Sequence, residues 1–170
     1  DVVDDVGRAY GFNELDPRYP DVSTVGGRHA TSRLEGAARD ALVGLGFEDM
    51  LDFHMTSERD CFERMGLAVP DERDPEAPLG RQPPVTIAEP YSEDYTMLRT
   101  WALPSLLTVL ENNTHRSYPQ DLAEVGLVAH VDEREETKSA ERRSVAAVLA
   151  RTDAGYEDAK GRLRALAEAF

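Results

Sequence analysis

The sequence predicts an α+β fold, in which an antiparallel sheet is flanked by helices. Helical stripes of apolar residues alternate with short strand-like apolar runs. These elements do not follow the regular strand–helix–strand repeat that builds a parallel sheet. A length of 170 residues with 41 % hydrophobic residues is enough for one compact domain, or for one domain and a fragment of a neighbour.

The first 15 residues predict a short helix that ends near Gly11. Its apolar side consists of Val2, Val3, Val6 and Tyr10. Residues 16–30 contain prolines at 17 and 20 and two consecutive glycines, which is typical of a linker. We therefore expect a boundary here, with residues 31–170 forming the main domain. The chain has no initiator methionine, which suggests a piece of a longer protein.

The stretch TSRLEGAARDALVGLG predicts an amphipathic helix. Ser32 and Glu35 have the spacing of a capping box at its start, and Gly46 is placed to end it in a left-handed conformation. Its apolar residues recur at helical spacing and form one stripe: Leu34, Ala37, Ala38, Ala41, Leu42 and Leu45. This face should pack on the sheet.

The next part of the chain predicts one strand, a short helix and a loop. Residues 47–56 alternate between apolar and polar side chains, as in a half-buried strand. Ser57 should cap a short helix that Gly66 ends. Five prolines and six charged residues in 68–84 predict a surface loop within the domain, because strand-like VTIA follows directly.

The second half predicts two helices and two long strands. Pro104 suits the first turn of a helix, with a buried face formed by Leu103, Leu106, Leu107 and Leu110. DLAEVGLVAHV should be a strand that is partly covered on both faces. EREETKSAER should be solvated and SVAAVLA should be a central strand. A last helix should begin near Asp153, with its apolar side formed by Tyr156, Ala159, Leu163, Leu166 and Phe170.

The net charge of −14 is spread over the whole sequence, and only two of the 19 basic residues are lysines. A nucleic-acid mimic or an acidic tail would cluster its charges, and the periodic apolar sequence argues against disorder. Adaptation to molar salt explains the composition best, since the Debye length there is about 3 Å. The single cysteine, Cys61, fits a reduced, cytoplasmic protein and should be a small buried residue. No apolar run suggests a membrane span.

The sequence contains no phosphate-binding loop, dinucleotide fingerprint, HExxH or CxxC pattern. One cluster could carry chemistry. Asp1, Asp4 and Asp5 share one face of the first helix, and carboxylate oxygens suit Mg²⁺. The alternative is that these acidic residues complement the helix dipole.

Three segments, in order, resemble the phenylalanine–tRNA ligase beta subunit family. DVVDDVGRAYGFNEL is similar to the family's DLIEDVARIYGYNNI. TSRLEGAARDALVGLGFEDMLDFHMTS resembles the helix–strand unit that opens the next domain. PYSEDYTMLRTWALPSLLTVLENNTHRSYPQDLAEVG resembles the region from LRTSLLPGLL to a FEIG strand. The acid-rich, arginine-rich composition suggests an archaeal member from a salt-adapted cell.

The resemblance implies a C-terminal fragment in which residues 1–15 are the tail of a small domain, 16–30 a linker, and 31–170 a catalytic-like domain of the class II aminoacyl-tRNA synthetase type. In the family, the alpha subunit uses ATP to attach Phe to tRNA(Phe), and the beta subunit pairs with it in an alpha2–beta2 assembly. The resemblance also implies a Mg²⁺ site shared with the alpha subunit, with Asp1, Asp4 and Asp5 as ligands and one further ligand upstream.

The resemblance implies that this domain does not catalyse the reaction. The arginine that holds the ATP α-phosphate in a working class II site would fall near Ala129, where the sequence has no arginine. Arg99 keeps its place in the pattern, and we expect it to orient a loop or a subunit. The expected contacts with the alpha subunit are the helix from Ser32 to Leu45 and the helix after Pro104. An ATP or amino-acid site within the domain, or an acidic interaction module, stays open as an alternative.

Overall fold

The computed structural model describes residues 1–19, 21 and 26–170. The helices are α1 (Val2–Tyr10), α2 (Ala30–Gly44), α3 (Glu58–Cys61), α4 (Leu103–Asn112) and α5 (Tyr156–Glu168). The strands are β1 (Glu48–Asp49), β2 (Met55–Thr56), β3 (Met97–Leu98), β4 (Gln120–Val131) and β5 (Ser139–Ala150). Short 3-10 turns cover Phe12–Glu14, Glu63–Met65 and Leu79–Arg81. The α+β class is confirmed.

The main sheet is mixed, which corrects the prediction of a purely antiparallel sheet. Its order is β1–β4–β5. The short strand β1 runs parallel to β4, with Glu48 opposite Leu122, whereas β4 and β5 form a long antiparallel hairpin. Among the described strands β4 is central and β5 lies at the edge, so the prediction that SVAAVLA is central was wrong. Burial along β4 on both faces was predicted correctly.

Residues 47–56 do not form the single strand that their alternation predicts. Glu48 and Asp49 pair with β4, whereas Met55 and Thr56 pair with β3 in a separate two-stranded sheet. The chain leaves one sheet and enters the other around Asp52, whose N–H donates to a side chain, the Glu124 carboxylate, at 3.4 Å. The apolar–polar alternation of a sequence predicts an extended chain, but it does not show where that chain leaves one sheet and joins another.

The N-cap of helix α2 lies three residues before Ser32, the predicted N-cap. His29 is the N-cap, and its Nδ1 accepts a hydrogen bond from the N–H of Thr31. Glu35 instead forms an ion pair with Arg143 on β5. The end of the helix was predicted correctly: Gly46 has φ = +90°, and the next N–H, that of Phe47, donates to the carbonyl of Leu42 in a Schellman motif.

Two clusters of buried apolar side chains form the core. The first joins α2 to the sheet and contains Ala38, Leu42, Phe47, Ala123 and Val125. The second contains Cys61, Phe62 and Met97. Cys61 is fully buried, as predicted, and burial raises the pKa of its thiol. The stripe of α2 is only partly buried, since Leu34 is 58 % exposed.

The remaining predictions mostly agree with the structure. Ser57 caps α3, Gly66 adopts a left-handed conformation, and Pro104 lies in the first turn of α4. VTIA contributes one bridge, between Thr86 and Met97, rather than a strand. The last helix begins at Tyr156, three residues later than expected.

The predicted linker over residues 16–30 stays a prediction. It includes Pro20 and the four residues 22–25, which lie outside the described residues. In the described part of the chain, no helix has the length and apolar character needed to cross a membrane.

Candidate functional site

Arg99 lies at the junction of the two sheets. It directly follows β3, and its backbone N–H donates to the carbonyl of His54 at 2.8 Å. Its own carbonyl accepts from the N–H of Ala129 on β4 at 3.0 Å. Backbone hydrogen bonds therefore hold this residue on both sides, and the side chain turns inward, where it is only 1 % exposed.

The guanidinium of Arg99 is held mainly by β4. It forms a bidentate pair with Glu124, with Nη1 to Oε2 at 2.8 Å and Nη2 to Oε1 at 2.6 Å. Its Nε donates to the carbonyl of Leu127 at 3.0 Å. Glu124 is completely buried, so each charge depends on the other for compensation. Arg99 therefore acts within the domain, and the expectation that it orients a neighbouring loop or subunit is corrected, because its side-chain partners lie on β4 and α4.

Gly126 makes room for this ion pair. It lies two residues after Glu124 on the same face of β4. A Cβ atom added at Gly126 would lie 2.5 Å from Glu124 Oε1 and would also collide with Nη2 of Arg99. Only glycine leaves space here for two buried charged groups to meet.

A cleft of about 360 Å³ opens beside the ion pair. Its walls come from the segment between the sheets, from the turn before β3, and from α4. We call it the acidic cleft and define it by Asp52, Phe53, Asp60, Asp94, Tyr95 and Ser105. Ser105 connects it to the ion pair, because its hydroxyl accepts from Nη1 of Arg99 at 3.4 Å.

Asp52 lies where the acidic cleft meets the buried pair. Burial raises the pKa of its carboxyl group, and the negative charge of Glu124 raises it further, while Arg99 acts in the opposite direction. Its Oδ2 atom is buried without a hydrogen-bond partner among the described residues. The carboxylate of Asp52 therefore has unused capacity to accept hydrogen bonds.

Two aromatic rings stand at the mouth of the acidic cleft. Phe53 and Tyr95 meet edge to face, with centroids 5.9 Å apart and planes at 65°. Phe53 is 71 % exposed. The rings therefore form an apolar, accessible rim around an acidic interior.

The charge of the acidic cleft disfavours phosphate groups. Asp52, Asp60 and Asp94 contribute three carboxylates, and the lining contains no lysine, arginine or histidine among the described residues. The nearby guanidinium of Arg99 is already neutralised by Glu124. A polyphosphate entering this cleft would meet repulsion without a free cation to bind it.

Ala129, the position where the resemblance places a catalytic arginine, lies inside β4 and is 3 % exposed. Its neighbour across the hairpin is Glu141. This position therefore offers no guanidinium.

The predicted metal ligands lie apart from the acidic cleft, on α1. Asp1 is the N-cap, and Asp4 and Asp5 follow in the first turn. Asp4 pairs with Arg8 at 2.7 Å. The part of the chain that the structure describes contains no group of three or more side chains placed to hold a metal ion. The prediction of a Mg²⁺ site stays a prediction.

Sequence reasoning did not identify Glu124, Asp52 or Asp94 as site residues. Glu124 had a signal, because it is an acidic residue inside an apolar strand and is followed two residues later by glycine. A buried carboxylate of this kind requires a partner, and Arg99 was the arginine already singled out. Asp52 and Asp94 carry no comparable signal in a sequence that is acidic throughout.

Comparison with protein families gives one model, described as the phenylalanyl tRNA synthetase beta chain CLM domain, which matches residues 15–170. Similar curated proteins carry the name phenylalanine–tRNA ligase beta subunit. Those from Haloarcula marismortui and Natronomonas pharaonis are both 69 % identical to this chain over its whole length. That from Pyrococcus horikoshii is 37 % identical over 98 % of the chain.

The chain spans 30 % of the length of the Haloarcula protein, 29 % of the Natronomonas protein and 28 % of the Pyrococcus protein. Archaeal relatives at 60–69 % identity come from halophiles. Their source supports the predicted adaptation to salt, since a dense carboxylate surface costs little repulsion where charges are strongly screened.

Proposed function

Since the chain belongs to the phenylalanine–tRNA ligase beta subunit family, we propose that it is a non-catalytic, class II synthetase-like domain that pairs with the alpha subunit. In this proposal the alpha subunit uses ATP to attach Phe to tRNA(Phe) in an alpha2–beta2 assembly in the cytoplasm. The beta domain contributes a stable surface on which that assembly forms.

One observation carries the non-catalytic assignment. Glu124 pairs with the guanidinium of Arg99, which adjoins the cleft. The cleft itself is lined by carboxylates. Transfer of a phenylalanyl group from ATP-activated Phe requires cationic groups that stabilise phosphate charge. The described cleft residues provide none, so they support a structural role and not a second active site.

The contact surface includes the exposed side of α2 in this proposal. Leu34 and Val43 are 58 % and 56 % exposed on this helix. Apolar side chains of this size at a salt-adapted surface are the kind that a partner subunit covers. Helix α4 is the second proposed contact, with Leu107 at 36 % exposure.

The Mg²⁺ site remains part of the proposal for the assembled enzyme only. Carboxylates of Asp1, Asp4 and Asp5 have the oxygen chemistry that Mg²⁺ prefers. Asp4 is already paired with Arg8, and the described residues offer no complete ligand set. The three residues therefore do not fit an ion on their own, and ligands from outside this chain would be needed.

The test is association with the alpha subunit of the same cell, measured by size-exclusion chromatography and calorimetry in molar KCl. We expect saturable one-to-one binding by the chain. The variant Leu34→Glu should weaken it by at least about tenfold, because a charge replaces a contact worth more than ~1.4 kcal/mol.

The matched control is Leu163→Glu on α5, where the leucine is 67 % exposed and lies outside the proposed contact helices. This variant should bind like the unchanged chain. Absence of binding by the unchanged chain would overturn the structural role, and equal losses in both variants would overturn the assignment of α2.

A further inference from the structure

We propose that His130 makes the attachment of the loop over residues 71–83 to the end of the β4–β5 hairpin sensitive to pH. We call this loop the strap. When the imidazole of His130 takes up a proton, the strap detaches from the hairpin more often. Every group involved belongs to this chain, so the effect does not require the alpha subunit.

Two contacts attach the strap to the hairpin. The backbone N–H of Val131, the last residue of β4, donates to the carbonyl of Pro83 at 2.9 Å. The Nε atom of Arg73 lies 3.3 Å from Oδ2 of Asp132, and these side chains are 20 % and 5 % exposed. The ion pair is therefore largely shielded from water, and its strength depends on the charges around it.

Gln82 ties the strap to itself. Its Nε2 atom donates to the carbonyl of Asp74 at 2.5 Å and to that of Ala77 at 2.8 Å. The segment that carries Arg73 and the segment that carries Pro83 are thereby joined. The two contacts with the hairpin should consequently be lost together.

His130 lies directly beside both contacts, one residue before Val131 and two before Asp132. It is only 3 % exposed. Its Nδ1 atom is buried and has no hydrogen-bond partner within the described part of the chain. A protonated imidazole carries an N–H on both ring nitrogens, so protonation would leave a buried donor at Nδ1 without an acceptor.

The charges around His130 also oppose its protonation. Side chains alternate along a strand, so Asp132 lies on the same face as His130, and the register of β4 and β5 makes Arg142 its diagonal neighbour on that face. Arg73 approaches from the strap. The one carboxylate, Asp132, is already shared by Arg73 and by Arg134 in the hairpin turn. A proton on His130 would therefore add a further cation to a group in which cations already outnumber the carboxylate.

These surroundings fix the direction of the pH dependence. Burial lowers the pKa of His130, and the positive charges of Arg142 and Arg73 lower it further, whereas Asp132 acts in the opposite direction. Detachment of the strap moves Arg73 away and opens the imidazole to water, so the detached state binds a proton more readily. The attachment is therefore fully retained above a pH of about 6.5, the ordinary pKa of histidine, and weakens as the pH falls below it.

The test is NMR of the labelled chain in molar KCl between about pH 7.5 and about pH 5, a range that spans the ordinary histidine pKa. The imidazole of His130 should titrate with a midpoint below about 6.5. Amide exchange, corrected for its intrinsic pH dependence, should show the protection of Val131 falling by at least about threefold over this range. The amide of Met50, which donates to Ala123 at the opposite end of β4, should keep its protection.

His130→Gln removes the titrating group, so the protection of Val131 should no longer depend on pH in this range. The matched control is His115→Gln, which alters an exposed histidine in the turn after α4 and should leave the pH dependence intact. Arg142→Gln changes an exposed residue of β5 and should raise the midpoint of His130 with little effect on folding. It keeps the proposal testable if His130→Gln does not fold.

Three results would overturn the inference. The first is a midpoint for His130 at or above about 6.5. The second is unchanged protection of Val131 across the pH range, which would show that the strap does not respond to the proton. The third is a fall in that protection that persists in His130→Gln, since another group would then be responsible.

Discussion

Replacing Arg99 with methionine is expected to destabilise the domain by about 3–5 kcal/mol, because Glu124 would be left as a buried, uncompensated charge. The side chains of this pair are 1 % and 0 % exposed, so solvent cannot replace the lost partner. Methionine keeps most of the length of the arginine side chain, so lost charge and hydrogen bonds dominate the effect. Urea unfolding in molar KCl measures it.

The double variant Arg99→Met/Glu124→Met should recover at least half of that loss, since an apolar pair of similar volume can replace a buried ion pair at little cost. Arg164→Met is the surface control. Arg164 is 78 % exposed and lies 3.8 Å from Glu168, so its loss should cost no more than about 1 kcal/mol. A double variant no more stable than Arg99→Met would contradict the account of the pair.

Gly126→Ala is expected to destabilise the domain by about 1–3 kcal/mol through overpacking. The added Cβ would press on Glu124 Oε1 at 2.5 Å and on the Arg99 guanidinium. Neither group can move away without breaking the other's contacts, because each is the other's buried partner. Thermal and urea unfolding of this variant give the measured cost.

Gly44→Ala provides a control with the opposite sign. Gly44 is an exposed residue within α2, and an added Cβ there meets nothing within 4 Å. Because Gly44 is the last residue of α2, where helix propensity counts less than in the interior, alanine should stabilise the helix by up to about 0.5 kcal/mol. In the Arg99→Met/Glu124→Met background, Gly126→Ala should cost less than in the unchanged chain. An undiminished cost there would show that the strain lies in the backbone and not in the pair.

Local signals in the sequence were sufficient to predict those structural features that depend on a single residue. Ser57 caps α3, Gly46 and Gly66 adopt positive φ, and Pro104 lies in the first turn of α4. Each of these depends on the chain within a few residues, which is the range that capping and backbone rules describe.

Features that depend on distant partners were not predictable in the same way. The parallel pairing of β1 with β4 places Glu48 opposite Leu122. The sequence of neither strand indicates whether its partner runs parallel or antiparallel to it. The Ser32–Glu35 capping box does not form, since His29 caps the helix and places Ser32 inside it, while Glu35 pairs with Arg143 on β5. Tertiary contacts of this kind override local preference.

The candidate site was also predictable only where local residues or the family pattern determine it, and not where it depends on distant partners. Resemblance to a family identified Arg99 and the absence of arginine at Ala129, but not the residue that binds Arg99. Glu124 lies 25 residues further along the chain, and only the fold brings the two together. The proposal that the cleft does not bind phosphate rests on that pair, together with the carboxylates of Asp52 and Asp94.

The most direct test of the non-catalytic assignment is a calorimetric titration of the chain with ATP and Mg²⁺ in molar KCl, with the alpha subunit as the positive control. We predict no saturable heat from the chain and clear binding by the alpha subunit, since Glu124 neutralises Arg99 and carboxylates line the cleft. Saturable binding of one ATP per chain would contradict the account and identify a working nucleotide site.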